Sequence, residues 1–237
     1  NEILFNPFPS GVDYVELYNR SNKIIDLNKT YIANRNTSNI ASSITQLSSV
    51  PFLLFPKDYI LLTTDPEIVK SQYITLNPEA FLKMKTMPSF SNEKGNVIVL
   101  NIHGAIIDEV NYSEKWHFPL LTNVKGVSLE RIDYEAPSSK SNFHSAATSA
   151  GYGTPGFQNS QYKMNEELPG EITVSPEIFS PDNDGYEDFA TINYHFPTSG
   201  FVTNITIFDA SGRAVRFLQK NALSGIKGYY RWDGMDD

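Results

Sequence analysis

Cysteine is absent from all 237 residues, which removes disulfides, thiolate metal sites and cysteine nucleophiles together. Clusters of Lys and Arg are missing too. The 19 basic and 27 acidic side chains leave a net charge of −8, the wrong sign for an affinity built on neutralising phosphates. Lys83 and Lys85, beside Met84 and Met87, make too small a patch to reverse that. No apolar run approaches the roughly 20 residues of a membrane helix, so neither nucleic-acid binding nor membrane insertion is expected. Charged residues are scarce at 19%, against 40% hydrophobic and 13% aromatic residues, enough to bury real cores. Abundant Ser, Thr and Asn suit strands joined by exposed loops.

The length is generous for one domain and comfortable for two. The segment from Asp13 to Asn19 alternates with period two, putting Val15 and Leu17 on one face and Tyr14, Glu16 and Tyr18 on the other. Further strands are expected at Lys23–Leu27, Tyr59–Thr63, Asn96–Leu100, Ala105–Val110 and Gly126–Ile132. The pair flanking Asn101–Gly104 reads as a hairpin. Residues 34–49, rich in Asn, Ser and Thr, read as a long exposed excursion. Pro66–Tyr73 reads as a helix capped by Asp65, and Asn77–Lys83 repeats the device as a second short helix. Residues 163–170 read as a linker. Beyond it, strands are expected at Glu171–Val174, Ala190–Phe196, Asn204–Asp209, Ala214–Leu218 and Tyr229–Trp232, with a tight turn at Ser211-Gly212. Together these patterns predict an all-β chain of two sandwich domains, 1–162 and 171–237.

The densest chemistry lies in Phe179-Ser-Pro-Asp-Asn-Asp-Gly-Tyr-Glu-Asp188, with four acidic side chains between Asp182 and Asp188. Asp182, Asp184 and Asp188, with the Tyr186 carbonyl and a bend at Gly185, make a candidate Ca²⁺ site, since that ion takes six to eight oxygen ligands. A full twelve-residue loop is not present, because the twelfth position is Asn193 rather than Glu. The alternative is an Asx-rich turn whose carboxylates accept local backbone N–H groups. Gly151-Tyr-Gly-Thr-Pro-Gly156 matches a dinucleotide fingerprint literally. No strand precedes it, and Pro155 disfavours the helix that should follow, so it reads as a loop crossing.

His103, His117, His144 and His195 have no zinc-type spacing, and no nucleophile elbow is present. Glu16, Glu130 and Arg131 read as an ion pair or edge-strand charge rather than as paired catalytic carboxylates. Trp116-His-Phe118 offers aromatic surface, either for stacking on sugars or for anchoring a loop.

Several spaced pieces in the first 160 residues carry a family resemblance. They are Asn1–Pro7, Asp13–Asn19, Ile25-Asp-Leu27, Tyr59–Thr63, Ile107-Asp108 with Tyr112 and Trp116, Gly126–Arg131, Ser141-Asn142 with His144–Ala146, and Thr154-Pro-Gly156 near Asn159-Ser160. On these the segment resembles the bacterial lamin-tail domain, an immunoglobulin-like sandwich. Lys29-Thr-Tyr31 departs from it, where the family more often has Gly-Trp. Residues 171–237, through Phe179–Gly185, Ile207–Arg213 and Trp232-Asp-Gly234, resemble the immunoglobulin-like C-terminal modules of gliding-motility-associated proteins of the Bacteroidetes type, and those of flagellar hook-capping proteins. Such modules continue with one more strand, so the second sandwich is expected to be incomplete at Asp237.

The resemblance implies two immunoglobulin-like sandwiches in an exported or cell-surface bacterial protein. A chain that starts at Asn1 without Met, already strand-like, is compatible with removal of a signal peptide or lipid-anchor cysteine. The expected role is structural or adhesive and non-enzymatic, with a protein or glycan partner and Ca²⁺ as the only cofactor, stiffening the domain joint. The alternative is a carbohydrate-binding accessory module.

Overall fold

A computed structural model of the chain describes residues 1–163, 170–210 and 212–237. The protein is all-β, of sandwich type, and divides into two compact units. The first holds Asn1–Ala146 and Gly151–Tyr162, the second Ala147–Ala150 and Lys163–Asp237. Met164 to Pro169 of the expected linker, and Ser211 of the expected turn, lie outside the described residues.

The first unit runs through β1 (Glu2–Leu4), β2 (Tyr14–Tyr18), β3 (Ile25–Asp26), β4 (Thr30–Arg35), β5 (Ala41–Gln46), β6 (Leu53–Leu54) and β7 (Tyr59–Thr63). Then come α1 (Pro66–Gln72), β8 (Phe81–Lys83), β9 (Lys94–Asn101), β10 (Ile106–Ser113), β11 (Leu129–Arg131) and β12 (Phe143–Ser145). A six-stranded sheet has the order β12-β11-β1-β2-β7-β8, and a four-stranded sheet the order β10-β9-β4-β5. The main core lies between them. Ile3, Val15, Ile60 and Leu62 from the larger sheet pack with Ile32, Val97, Val110 and Tyr112 from the smaller. This apolar burial is the chief stabilising term for the unit.

The larger sheet is also covered on its other face. There Leu4, Tyr14 and Leu61 pack against Val69 and Tyr73 at the helix. Asp65 caps α1, its Oδ1 accepting from the Glu67 and Ile68 backbone N–H groups at 3.1 and 3.4 Å, a device worth about 1 kcal/mol. Seven residues are too few to hold a helix on propensity alone. Its docked apolar residues keep it formed.

Three expectations for this unit are corrected. Asn77–Lys83 is not a second helix. Its first residues turn, the Ala80 N–H donating to the Asn77 carbonyl, and Phe81–Lys83 then joins the sheet parallel to β7. The open edge of β7 offers three residues a ladder, which outweighs one helical turn's worth of capping.

Residues 34–49 are mostly exposed or half-buried, but much of this excursion is the β4–β5 hairpin, which the sequence pattern did not suggest. Asn36 Oδ1 holds its turn by accepting from the Ser38 and Ile40 N–H groups, both at 3.0 Å. β5 is an edge strand with no fully buried residue, so its sequence carries no hydrophobic alternation. Third, the strand expected at Lys23–Leu27 shortens to Ile25–Asp26, because Leu27 opens a 3₁₀ turn.

The second unit contains β13 (Glu171–Ser175), β14 (Ala190–His195), β15 (Val202–Phe208), β16 (Ala214–Leu223) and β17 (Lys227–Trp232). These form a three-stranded sheet, β13-β14-β17, and the β15–β16 hairpin. Its small core sets Tyr194 and Tyr230 among Ala190, Ala222, Leu223 and Ile226. Tyr194 stacks with Tyr230 and Phe196, at 5.5 and 4.9 Å between ring centroids, and Phe196 stacks on Phe201 at 4.5 Å. Phe179 meets Trp232 edge to face at 5.4 Å, so two distant sequence signatures touch. β13 is exposed along its whole length. Among the described residues no helix is long and apolar enough to cross a membrane.

Candidate functional sites: two carboxylate clusters and a cavity

The acidic loop precedes β14. Carboxylate oxygens of Asp182, Asp184 and Asp188 lie within 4.8 Å of one another, so the structure brings together three of the four residues named from sequence. Those carboxylates also organise the loop itself. Asp188 accepts from the Asn183 and Gly185 N–H groups at 2.7 and 3.0 Å, Asp182 from Asp184 N–H at 3.2 Å, and Asp184 from Tyr186 N–H at 2.8 Å. Gly185 (φ 89°) and Asn183 (φ 61°) take the left-handed turns this path needs. The Asx-turn geometry and the metal-like spacing therefore coexist. The oxygen-only donor set fits a hard cation such as Ca²⁺. Tyr186 projects outward, 71% exposed.

A second cluster was not foreseen as such. Alternation along β1, β2 and β11 puts Glu2, Glu16 and Glu130 on the same face of the larger sheet. The register sets Glu2 directly opposite both of the others. All three are fully buried, in positions where facing like charges would repel. The expectation of an ion pair or edge-strand charge is corrected. All three strands are interior to the sheet, and neighbouring hydroxyl, amide and backbone groups, rather than Arg131, hydrogen-bond these carboxylates. Arg131 points to the other face, where its Nη2 reaches Asp108 at 2.7 Å.

The hydrogen bonds come from sheet neighbours and from residues 154–161. Tyr14 and Ser128 hydroxyls donate to Glu2 Oε1, each at 2.6 Å, and Thr154 N–H does so at 3.0 Å. Gly156 N–H and the Asn1 amide donate to Glu16. The Ser160 hydroxyl and Gln161 N–H donate to Glu130 Oε2 at 2.7 and 2.9 Å. The glycine-rich match at 151–156 is a loop crossing that presents backbone N–H groups to the protein's own carboxylates. Gly156 (φ 88°) is required there, since a Cβ would lie 2.8 Å from the Asn77 carbonyl oxygen.

Proton accounting follows from Thr154. Its Oγ1 lies 3.1 Å from Glu2 Oε2 and 2.8 Å from Glu130 Oε1, yet one hydroxyl proton cannot serve two acceptors. A proton on Glu130 completes the chain, donating to Thr154 while Thr154 donates to Glu2. The electrostatics agree: burial first, and the facing Glu2 carboxylate second, push Glu130 up to about 8 and raise Glu16 well above the ordinary range.

Each strand carried a faint signal for this cluster: a glutamate beside at least one large apolar residue, in Glu-Ile-Leu, Tyr-Val-Glu-Leu-Tyr and Leu-Glu-Arg. Only strand pairing across more than a hundred residues assembles the three.

Of the histidines only His117 and His144 are neighbours, both reaching Ser145. His103 is exposed in the β9–β10 turn. His117 is buried, its Nδ1 2.9 Å from Ser145 Oγ, and burial lowers it to about 4. His144 faces Phe118, and His195 ends β14. Trp116 packs on Phe143 and the main core rather than forming a platform.

A cavity of about 370 Å³ opens between the two sheets of the first unit. Leu17, Leu27, Leu54 and Val99 contribute apolar lining, and Tyr18, Tyr134 and Arg131 contribute aromatic and charged groups. Its residues come from seven separated stretches, which no local pattern links. No family model matches this chain, and no curated protein matches its sequence.

Proposed function

We propose that the chain is a non-catalytic, exported module of a bacterial envelope protein, with a structural or adhesive role and Ca²⁺ bound on the second unit's loop. The placement of its carboxylates carries this reading. The three glutamates that could have formed an acid/base pair are sealed from solvent and hydrogen-bonded by the protein on every side. They join the sheet to residues 154–161. The exposed cluster, Asp182, Asp184 and Asp188, faces water and would supply carboxylate oxygens to the ion. The resemblance to lamin-tail and gliding-motility-type modules points to the same role.

Melting with millimolar Ca²⁺ and then with chelator tests the ion, because a ligand of the folded state alone must raise the midpoint. Coincident melts remove it from the proposal. A turnover activity abolished in folded Glu16→Gln would overturn the non-catalytic assignment. A second reading, glycan binding, draws on exposed aromatics of the second unit. Tyr229 is 55% exposed, and the Arg231 guanidinium lies 5.2 Å from its ring and 5.9 Å from that of Phe189. A saturable glycan-array signal lost in Tyr229→Ala would favour it.

A further inference from the structure

The cavity of the first unit has the attributes of a ligand site, independently of the envelope role proposed above. At about 370 Å³ it falls within the range of small-molecule pockets. Leu27, Leu54 and Val99 are buried core residues that also line it, so its floor is apolar. Tyr18 also lines it, its ring tilted against those of Tyr134 at 4.5 Å and Tyr59 at 4.8 Å between centroids, on the face of β2 opposite Leu17.

The polar groups around the cavity differ in what they have left to offer. Asn19 donates to the Lys23 and Leu54 carbonyls and accepts from Ser21. Ser138 bridges Arg131 and Asp108. Arg20 donates to the Tyr134 and Glu135 carbonyls and pairs with the Glu135 carboxylate. Arg131 is different. Its side chain is only 9% exposed; Nη1 donates to the Ala136 carbonyl and Nη2 to Asp108 and Ser138. Its Nε has no acceptor among the described residues.

Two guanidinium groups and two carboxylates line the walls, yet they do not cancel. Asp108, paired with Arg131 at 2.7 Å, and Glu135 are 53% and 71% exposed and solvated by water, whereas the Arg131 guanidinium sits in a buried, lower-dielectric setting. A sugar, which needs many free donors and acceptors, finds few here. An apolar body with one anionic acceptor finds both of its complements.

We infer that this cavity binds a small carboxylic acid with a compact apolar body. The carboxylate accepts from Arg131, and the body rests on Leu17, Leu27, Leu54 and Val99. Phenylacetate is a suitable probe, with its neutral amide and methyl glucoside as comparisons, each titrated calorimetrically into the full chain. One phenylacetate should bind per chain, with phenylacetamide weaker by about tenfold or more, as expected when a charged acceptor is lost.

Arg131 also holds Asp108 and the 136–138 turn, so the variant leaves it in place. Leu17→Trp, which fills the cavity, should abolish binding while the chain still melts cooperatively. The inference is overturned if phenylacetate gives no heat at millimolar concentration or if the amide binds as tightly. It is equally overturned if methyl glucoside displaces phenylacetate, or if folded Leu17→Trp binds undiminished.

Discussion

Glu2, Glu16 and Glu130 in the first unit, and Asp182, Asp184 and Asp188 in the second, are clusters of the same functional group in opposite surroundings. The glutamates are fully buried and lie on three paired strands. The aspartates belong to one seven-residue stretch, with Asp182 and Asp184 exposed. In the first cluster, burial penalises charge, and shared protons with backbone and hydroxyl donors take the place of counter-ions. In the second, water solvates the charge, and the local backbone needs only part of the available oxygen. A carboxylate cluster thus becomes a structural clamp or stays solvated at the surface according to the access of water.

The largest expected effect comes from breaking the buried cluster at its centre. Glu2→Ala leaves the Tyr14 and Ser128 hydroxyls and the Thr154 N–H without their acceptor, and should cost on the order of 3–5 kcal/mol in denaturant unfolding. A cost below about 1 kcal/mol would mean that residues 154–161 are not clamped through this carboxylate.

Next is the pH dependence. Glu130 is raised from 4.5 to about 8, so the unfolded chain releases its proton first as pH rises. The stability it contributes is complete below about pH 4.5 and declines as pH rises toward 8, at up to about 1.4 kcal/mol per pH unit. His117 and the Asn1 amine, held low by burial at about 4 and about 5, have the opposite sign and lose stability as pH falls. The glutamate is therefore isolated by difference. Glu130→Gln, whose amide can donate to Thr154 as the protonated acid does, should gain on the wild type steadily between pH 6 and 8. Parallel pH profiles for the two proteins would contradict a shared proton.

The exposed cluster should respond to ions instead. Millimolar Ca²⁺ should stabilise the second unit by about 1–2 kcal/mol if affinity matches that of extracellular modules, and Asp184→Asn should reduce the gain. The same titration should leave the first unit unchanged, which hydrogen exchange resolves unit by unit.

The smallest effect belongs to a carboxylate of a third kind. Glu109 receives two 2.7 Å hydrogen bonds from Arg35, and these hold it below the ordinary carboxylate range. Stability from this pair is present above that range and lost on acidification. Arg35→Ala should lower the midpoint slightly at low salt and scarcely at high salt.

Much of this was legible in the sequence because it is local. Period-two alternation from Tyr14 to Tyr18 predicts which side chains face the sandwich core, and Val15 does so while Tyr14 and Glu16 turn to the other face. Asp65 and Pro66 announce α1, and the acidic loop was found by composition alone. Yet the polar-looking face of β2 is buried, because α1 and residues 151–162 lie over it. Sequence pattern distinguishes two faces of a strand; it does not say whether the second meets water. β5 and β8 escaped because edge strands can form on a neighbour's hydrogen bonds with little apolar alternation of their own.

The sequence by itself determined the class of the fold, most of its strands and the makeup of one carboxylate loop, since periodicity, capping and turn chemistry act within a few residues. Only the tertiary structure decided the rest. Register brought Glu2 opposite Glu16 and Glu130, a glycine loop closed over them, and two sheets left an apolar cavity beside the Arg131 guanidinium. Each depends on residues far apart in the chain, and burial, which sets whether a carboxyl is charged and whether a guanidinium is screened, is a property of the assembled fold.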